Sequence, residues 1–162
     1  MDKALRARVS MKNPVHFLAL GFGSGLIPMM PGTFGSIAAL PLLFAMSFVN
    51  LYYFLAITVI SFLFGIYLCG KTAADMKMHD HGSIVWDEIA GMMVVFIAVP
   101  INWSTLLLGF LLFRFFDILK PWPIREFDKK VHGGFGIMID DIVAGAMACL
   151  CLHALVYFFP LT

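Results

Sequence analysis

Five carboxylates in this chain occupy places where a carboxylate is costly. Asp87, Glu88, Asp117, Asp140 and Asp141 lie at helix ends within apolar sequence, in a chain of 162 residues that is 61% hydrophobic and 13% charged. A charge at the centre of a membrane segment costs at least about 2.5–3.5 kcal/mol, so function is the default reading there. Near the interface the cost is smaller, and a solvated helix-end acid is the plain alternative for any one of them. Several carboxylates in one cluster repel unless a cation or a proton joins them. Hard oxygen ligands suit Mg²⁺, which typically takes one or two carboxylates and completes its shell with water and substrate phosphate. The five acids are the candidate catalytic residues. Glu88, Asp117 and Asp141, one from each stretch, are the candidate metal ligands.

Bases lie beside the acids. Arg114 and Lys120 each stand three residues from Asp117, a spacing that lets both face the same pocket. A helix-end ion pair is one reading. The other is a grip on phosphate, with Arg as a bidentate fork and Lys as a point charge. The run Pro31–Gly32–Thr33–Phe34–Gly35–Ser36 is a glycine-rich entry into a helix, whose free N–H groups and positive dipole end suit an anion. It lacks P-loop spacing, so nucleotide binding is not implied. Thr33 is the candidate phosphate contact there. Gly133–Gly136, opening the last helix, is a second candidate backbone nest, with Gly134 as its substrate contact. His79–Asp80–His81 reads as positioning rather than as a metal cluster, because His79 and His81 cannot share a helix face. Cys69, Cys149 and Cys151 lie in apolar runs and read as core. The thiolate-phosphatase loop, the haloacid-type Asp-x-Asp, the Lys-x6-Arg-Pro signature and the Gly-x-Ser-x-Gly elbow are all missing from the sequence. Metal-assisted chemistry or a non-enzymatic acidic site remains.

The elements that must position these groups are helices. A spanning helix needs about 20 mostly apolar residues, with about 17 as the lower end. Residues 13–70 carry no charge and hold more than one span. His16 to Gly25 is too short to cross and reads as an interfacial or re-entrant helix, ended by Pro28 and Pro31. Thr33 or Ser36 caps the next helix, which runs to about Val49. Asn50 turns the chain into a long helix over Leu51–Met76. Residues 89–113 are either one span or a hairpin broken at Pro100–Ile101–Asn102, with arms Ile84–Val99 and Trp103–Leu119. The arms are short, and suffice only if their charged ends sit in a protein-lined pocket. After Lys120–Pro121–Trp122–Pro123 come a short amphipathic piece (124–132) and a final helix, Ile137–Phe159. Beneath one acid of each stretch lies a glycine on the same face: Gly91 below Asp87, Gly145 below Asp141, Gly109 below Asp117. Small residues are the usual contact surface between membrane helices, so three helices are expected to converge under a carboxylate cluster.

The hairpin reading makes the chain an all-α membrane bundle of about five spanning helices plus short re-entrant or interfacial helices. All 11 basic and 10 acidic residues fall in three blocks, 2–12, 71–88 and 114–141. The hairpin folds these blocks onto one side, and the connections on the other side are uncharged. Residues 1–12, with Asp2, Lys3, Arg6, Arg8 and Lys12, form a basic tail that the positive-inside rule places in the cytoplasm. Residues 13–162 form a single membrane-embedded domain. A net charge of +1 gives no nucleic-acid footprint.

Four strings, GFGSGLIPMMPGTFGS (21–36), HDHGSIVWDEIAGM (79–92), FRFFDILKPWPI (113–124) and HGGFGIMIDDIVAG (132–145), occur in this order. Together they resemble the bacterial phosphatidylglycerophosphatase A family over roughly residues 12–160. The resemblance implies a multi-pass, Mg²⁺-dependent phosphatase of the inner (cytoplasmic) membrane with its active site facing the cytoplasm. It implies phosphatidylglycerophosphate as the lipid substrate, with phosphatidylglycerol and phosphate as products. The competing readings are a cation-coupled membrane binding or transport protein, and a phosphatase for another lipid phosphate.

Overall fold

A computed structural model describes residues 8–78 and 81–159; Asp2, Lys3 and Arg6 of the basic tail, and His79–Asp80, lie outside the described residues. All regular structure among the described residues is helical. In chain order the elements are α1 (Pro14–Ala19), a 3-10 helix (Gly21–Leu26), α2 (Pro31–Met46), α3 (Leu51–Met76), α4 (Trp86–Val95), α5 (Trp103–Leu119), α6 (Ile124–Lys130) and α7 (Gly133–Phe158).

α3 forms over the range expected from sequence. Asn50 caps it by accepting the Tyr53 N–H, and Lys77 ends it in the left-handed conformation. α2 begins differently from the expectation. Pro31 follows Met30, whose backbone is left-handed, and neither Thr33 nor Ser36 is the cap. Ser36 Oγ instead donates to the Gly32 carbonyl at 2.9 Å. Residues 89–113 do fold as two helices. α4 stops at Val95, Ala98 takes a positive φ in the turn, and Asn102 and Thr105 form a reciprocal capping box for α5. α4 is shorter than its expected arm at both ends: at the start the Val85 N–H is drawn aside to the Ala19 carbonyl, at 2.9 Å, and at the end the positive φ of Ala98 takes the chain out of helix before Val99. α7 starts at Gly133, four residues earlier than expected, which puts Asp140 and Asp141 two turns in.

α7 is the central element. It packs against α3, α4, α5 and α6, and most extensively against α4. Glycine makes these approaches close, as the spacing beneath the acids implied. A Cβ on Gly91 would lie 2.8 Å from the Asp141 carbonyl oxygen and 2.6 Å from the Phe113 ring, one on Gly145 would strike the Gly91 carbonyl, and one on Gly109 would lie 2.6 Å from the Phe96 ring. α4 is consequently buried along nearly its whole length.

α3 and α7, at 26 residues each, are long and apolar enough to cross a membrane; each spans about 39 Å at 1.5 Å per residue. α2, α4 and α5 have 16, 10 and 17 residues. Among the described residues, two helices and not five therefore meet the length on their own. α3 turns Tyr53, Ile57, Ile60, Leu63, Phe64 and Tyr67 outward. Trp103 and Trp122 are 83% and 80% exposed, against 9% for Trp86. Trp and Tyr are the residue types enriched at membrane–water interfaces.

Candidate active site

The segment before α4 is pinned on three sides. Its Val85 N–H donates to Ala19, a Cβ on Gly25 would strike the Ser83 carbonyl, and one on Gly35 would lie 2.6 Å from Val85 Cβ. One residue on, Trp86 Nε1 donates to the Ser61 carbonyl of α3 at 3.1 Å. The first turn of α4 is thereby fixed before any charge is considered. Asp87 and Glu88 occupy that turn, where the helix dipole favours negative groups.

Asp141 reaches this turn from α7. One carboxylate oxygen from each of Asp87, Glu88 and Asp141 lies within 4.8 Å of the others, and all three residues are buried. Buried carboxylates this close are relieved either by a cation among them or by a shared proton. Glu88 Oε2 is buried without a hydrogen-bond partner. An all-carboxylate donor set with such an oxygen fits a hard divalent cation such as Mg²⁺.

Asp117 stands at the edge of this triad. Its Oδ2 is 2.5 Å from Arg114 Nη1, with both side chains largely buried, and its carboxylate repels that of Asp141. Arg114 Nε is buried and has no partner. The first turn of α2 lies against both charges: a Cβ on Gly32 would strike Glu88 Oε1 and lie 3.3 Å from Arg114 Nη1. The hydroxyl of the next residue, Thr33, is likewise buried without a partner.

Four helices thus bring together Thr33, Asp87, Glu88, Arg114, Asp117 and Asp141. The closest triad contains Asp87, with Asp117 held one step away by Arg114. Lys120 and Asp140 form a neighbouring pair at 2.8 Å, and Lys120 also meets Asp128 at 2.5 Å. Lys120 does not face Asp117 as its spacing suggested. It is the C-cap of α5 in the left-handed conformation, which swings its side chain toward α6 and α7. Burial opposes its charge, but the hydrogen bonds to Asp128 and Asp140 outweigh that and hold its pKa above the usual lysine range. Gly134 is placed in a helix crossing: a Cβ there would strike the Ile66 carbonyl and lie 2.9 Å from Gly70 N.

Outside this cluster the remaining polar candidates are structural. His16 accepts the Ser10 N–H at Nδ1, so Nε2 carries the proton shared with Asp75 at 3.0 Å. Arg8 donates to the Met76 carbonyl at 2.9 Å, tying the described part of the tail to the end of α3. Cys69 is buried with its Sγ 3.7 Å from Met138 Sδ. Two participants escaped the sequence reading, Gly32 and Asp128. The Pro–Gly pair opening α2 was the available signal for Gly32; nothing in the sequence marked Asp128.

A family model for phosphatidylglycerophosphatase A matches residues 17–156. Phosphatidylglycerophosphatase A of Escherichia coli K12 is 50% identical over 157 residues, covering 96% of this chain and 91% of that protein. The Haemophilus influenzae protein of the same name is 53% identical over 152 residues, covering 93% of each. A Bacteroides thetaiotaomicron protein provisionally named a phosphatidylinositol-3-phosphatase is 35% identical over 153 residues, covering 88% of this chain and 95% of that protein. No solved structure matches the chain. Matches of this length take in all four segments that build the carboxylate site, and they make the chain a member of the phosphatidylglycerophosphatase A family.

Proposed function

We infer that this protein is a lipid phosphatase that hydrolyses phosphatidylglycerophosphate to phosphatidylglycerol and phosphate. Family membership supports the reaction. The observation that carries its location is the buried Asp87–Glu88–Asp141 triad beside Arg114. Asp87, Glu88 and Asp141 would hold Mg²⁺, with Asp117 at the rim. When bound, the ion supplies charge neutralisation for phosphate oxygens and a lowered pKa for attacking water. Arg114, oriented by Asp117, turns its guanidinium to the phosphoryl oxygens and stabilises their charge in the transition state. Thr33 Oγ1 and the N–H groups of the first turn of α2 add donors from the opposite wall. A rim carboxylate, Asp117 or Asp140, accepts the proton of the water that attacks phosphorus in line. The P–O bond to glycerol breaks, and the leaving oxygen takes up a proton to give the product hydroxyl.

Phosphate release from phosphatidylglycerophosphate by purified protein tests the activity. EDTA should abolish release and added Mg²⁺ should restore it; full turnover in thoroughly stripped protein sinks the metal. The 35% identical relative favours one second reading, a phosphatase for another lipid phosphomonoester. A substrate panel in the same assay separates the two.

In the bilayer, residues 13–162 act as one multi-pass domain of the bacterial inner membrane, with the tail and the carboxylate site on the cytoplasmic side. α2 and α5 cross beside α3 and α7. α4 completes the count of five, because burial within protein frees it from spanning the lipid alone. The ionic contacts gather at one end, and the turns at 47–50 and 96–102 are uncharged. Asn102→Cys in a cysteine-free background should react with an impermeant maleimide added from the periplasmic side. Labelling from the cytoplasmic side overturns this topology.

A further inference from the structure

Beside the carboxylate site, at the corner between α5 and α6, lies an open cavity of about 560 Å³ that the mechanism leaves unused. That volume is in the range of ligand pockets. Its walls are of two kinds. Leu119 and Trp122 are apolar and largely exposed, so they face the lipid side. Lys120, Arg125, Glu126, Asp128 and Lys129 supply the charge. Both acids are already neutralised: Glu126 pairs with Lys130 at 2.6 Å and Asp128 with Lys120 at 2.5 Å. Arg125 and Lys129 make no ion pair among the described residues. They are four apart on α6 and so share a face. The cavity therefore offers, beneath an amphipathic indole, two cations that feel Glu126 only at longer range and hold no acid in direct contact among the described residues. Lys120, which also meets Asp140, joins it to the carboxylate side.

The substrate inferred above carries two phosphates, one on each side of a glycerol. The terminal phosphomonoester is cleaved. The inner phosphodiester is retained in the product, carries a single negative charge, and calls for cationic hydrogen-bond donors rather than carboxylates. We propose that the α5–α6 cavity binds this retained phosphodiester through Arg125 and Lys129 while the terminal phosphate sits at the carboxylates. The cavity thus selects a two-phosphate headgroup over a lipid with one phosphate. This subsite rests on the reading of the chain as a phosphatidylglycerophosphate phosphatase.

Two measurements on the full chain test it. In protein carrying Trp103→Phe, with the emission of buried Trp86 subtracted by a Trp103→Phe/Trp122→Phe control, brominated-chain phosphatidylglycerol should quench Trp122 at several-fold lower mole fraction than brominated-chain phosphatidylcholine. Arg125→Gln with Lys129→Gln should remove that preference; both residues are exposed, so the fold does not depend on them. Equal quenching by the two lipids, or a preference that survives the double substitution, overturns the site. So does reversal by millimolar inorganic phosphate, which would make free phosphate the ligand. In hydrolysis, the double variant should lower the kcat/KM ratio of phosphatidylglycerophosphate to phosphatidic acid by about tenfold or more, chiefly through KM, as loss of one charge-assisted hydrogen bond predicts. An unchanged ratio refutes the selective role. Wild-type protein that releases no phosphate from phosphatidylglycerophosphate counts against the proposed activity, and the quenching result still decides the diester site on its own.

Discussion

The two ends of the helical bundle use their polar groups in opposite ways. At the uncharged end they finish helices. Asn50 caps α3, Asn102 and Thr105 cap each other at α5, and His153 meets the Ile97 carbonyl at 3.0 Å. At the charged end, apart from the His16–Asp75 and Arg8–Met76 ties, the framework around the carboxylates is held by other means: a backbone hydrogen bond to Val85, the Trp86 indole, and glycine contacts at positions 25, 32, 35, 91 and 145. Glu88 Oε2, Arg114 Nε and Thr33 Oγ1 there are buried without partners. Such atoms cost free energy in a folded protein. The Ser24, Ser61 and Thr72 hydroxyls are orphaned too, but among the described residues Glu88 and Arg114 add charged groups to the set, and these sit together at one end.

That division can be broken by substitution. The largest effect is expected from Asp141→Asn. It should lower kcat by on the order of 10³ or more, with thermal stability kept or raised because one of several crowded like charges is gone. Near-normal turnover would refute a catalytic role, and a collapse of the fold would show that the charged end also carries stability. Gly145→Ala should be intermediate. Its Cβ must displace the Gly91 carbonyl and sits 3.1 Å from Val94 Cβ, costing about 1–3 kcal/mol by overpacking. Because the same crossing sets Asp141 against Asp87 and Glu88, activity should fall with the melting temperature. A loss of stability with full activity would separate crossing from site. The smallest effect is expected from Asn102→Ala. It removes a cap worth about 1 kcal/mol and should leave turnover at permissive temperature within about twofold.

The sequence revealed much of this arrangement, and where it fell short the reason was a distant neighbour. α3 was readable end to end because Asn50 and the charges after Gly70 bracket one apolar run. The break between α4 and α5 was readable from Pro100–Ile101–Asn102, and the five acids from their apolar setting. Gly134 read as an anion nest because its role depends on Ile66 and Gly70 of another helix. Lys120 read as a partner of Asp117 because helical spacing was carried through a residue whose backbone is left-handed. The choice of Asp87 over Asp117 for the tight triad turns on how α4 crosses α7, a relation between segments distant in the chain that no local pattern encodes.

The central placement of α7 has a consequence in time. Positions 32, 87–88, 114–117 and 141 belong to four helices made in that order during synthesis, and α7, which contributes Asp141 and packs against four other helices, is made after all the rest. A chain released before α7 emerges has α4 without the partner that buries one of its faces, and two of the three crowded acids without the third. Synthesis and competence are therefore coupled. Until α7 is made the carboxylate cluster is incomplete, and its third member arrives together with the packing that makes the chain a finished fold.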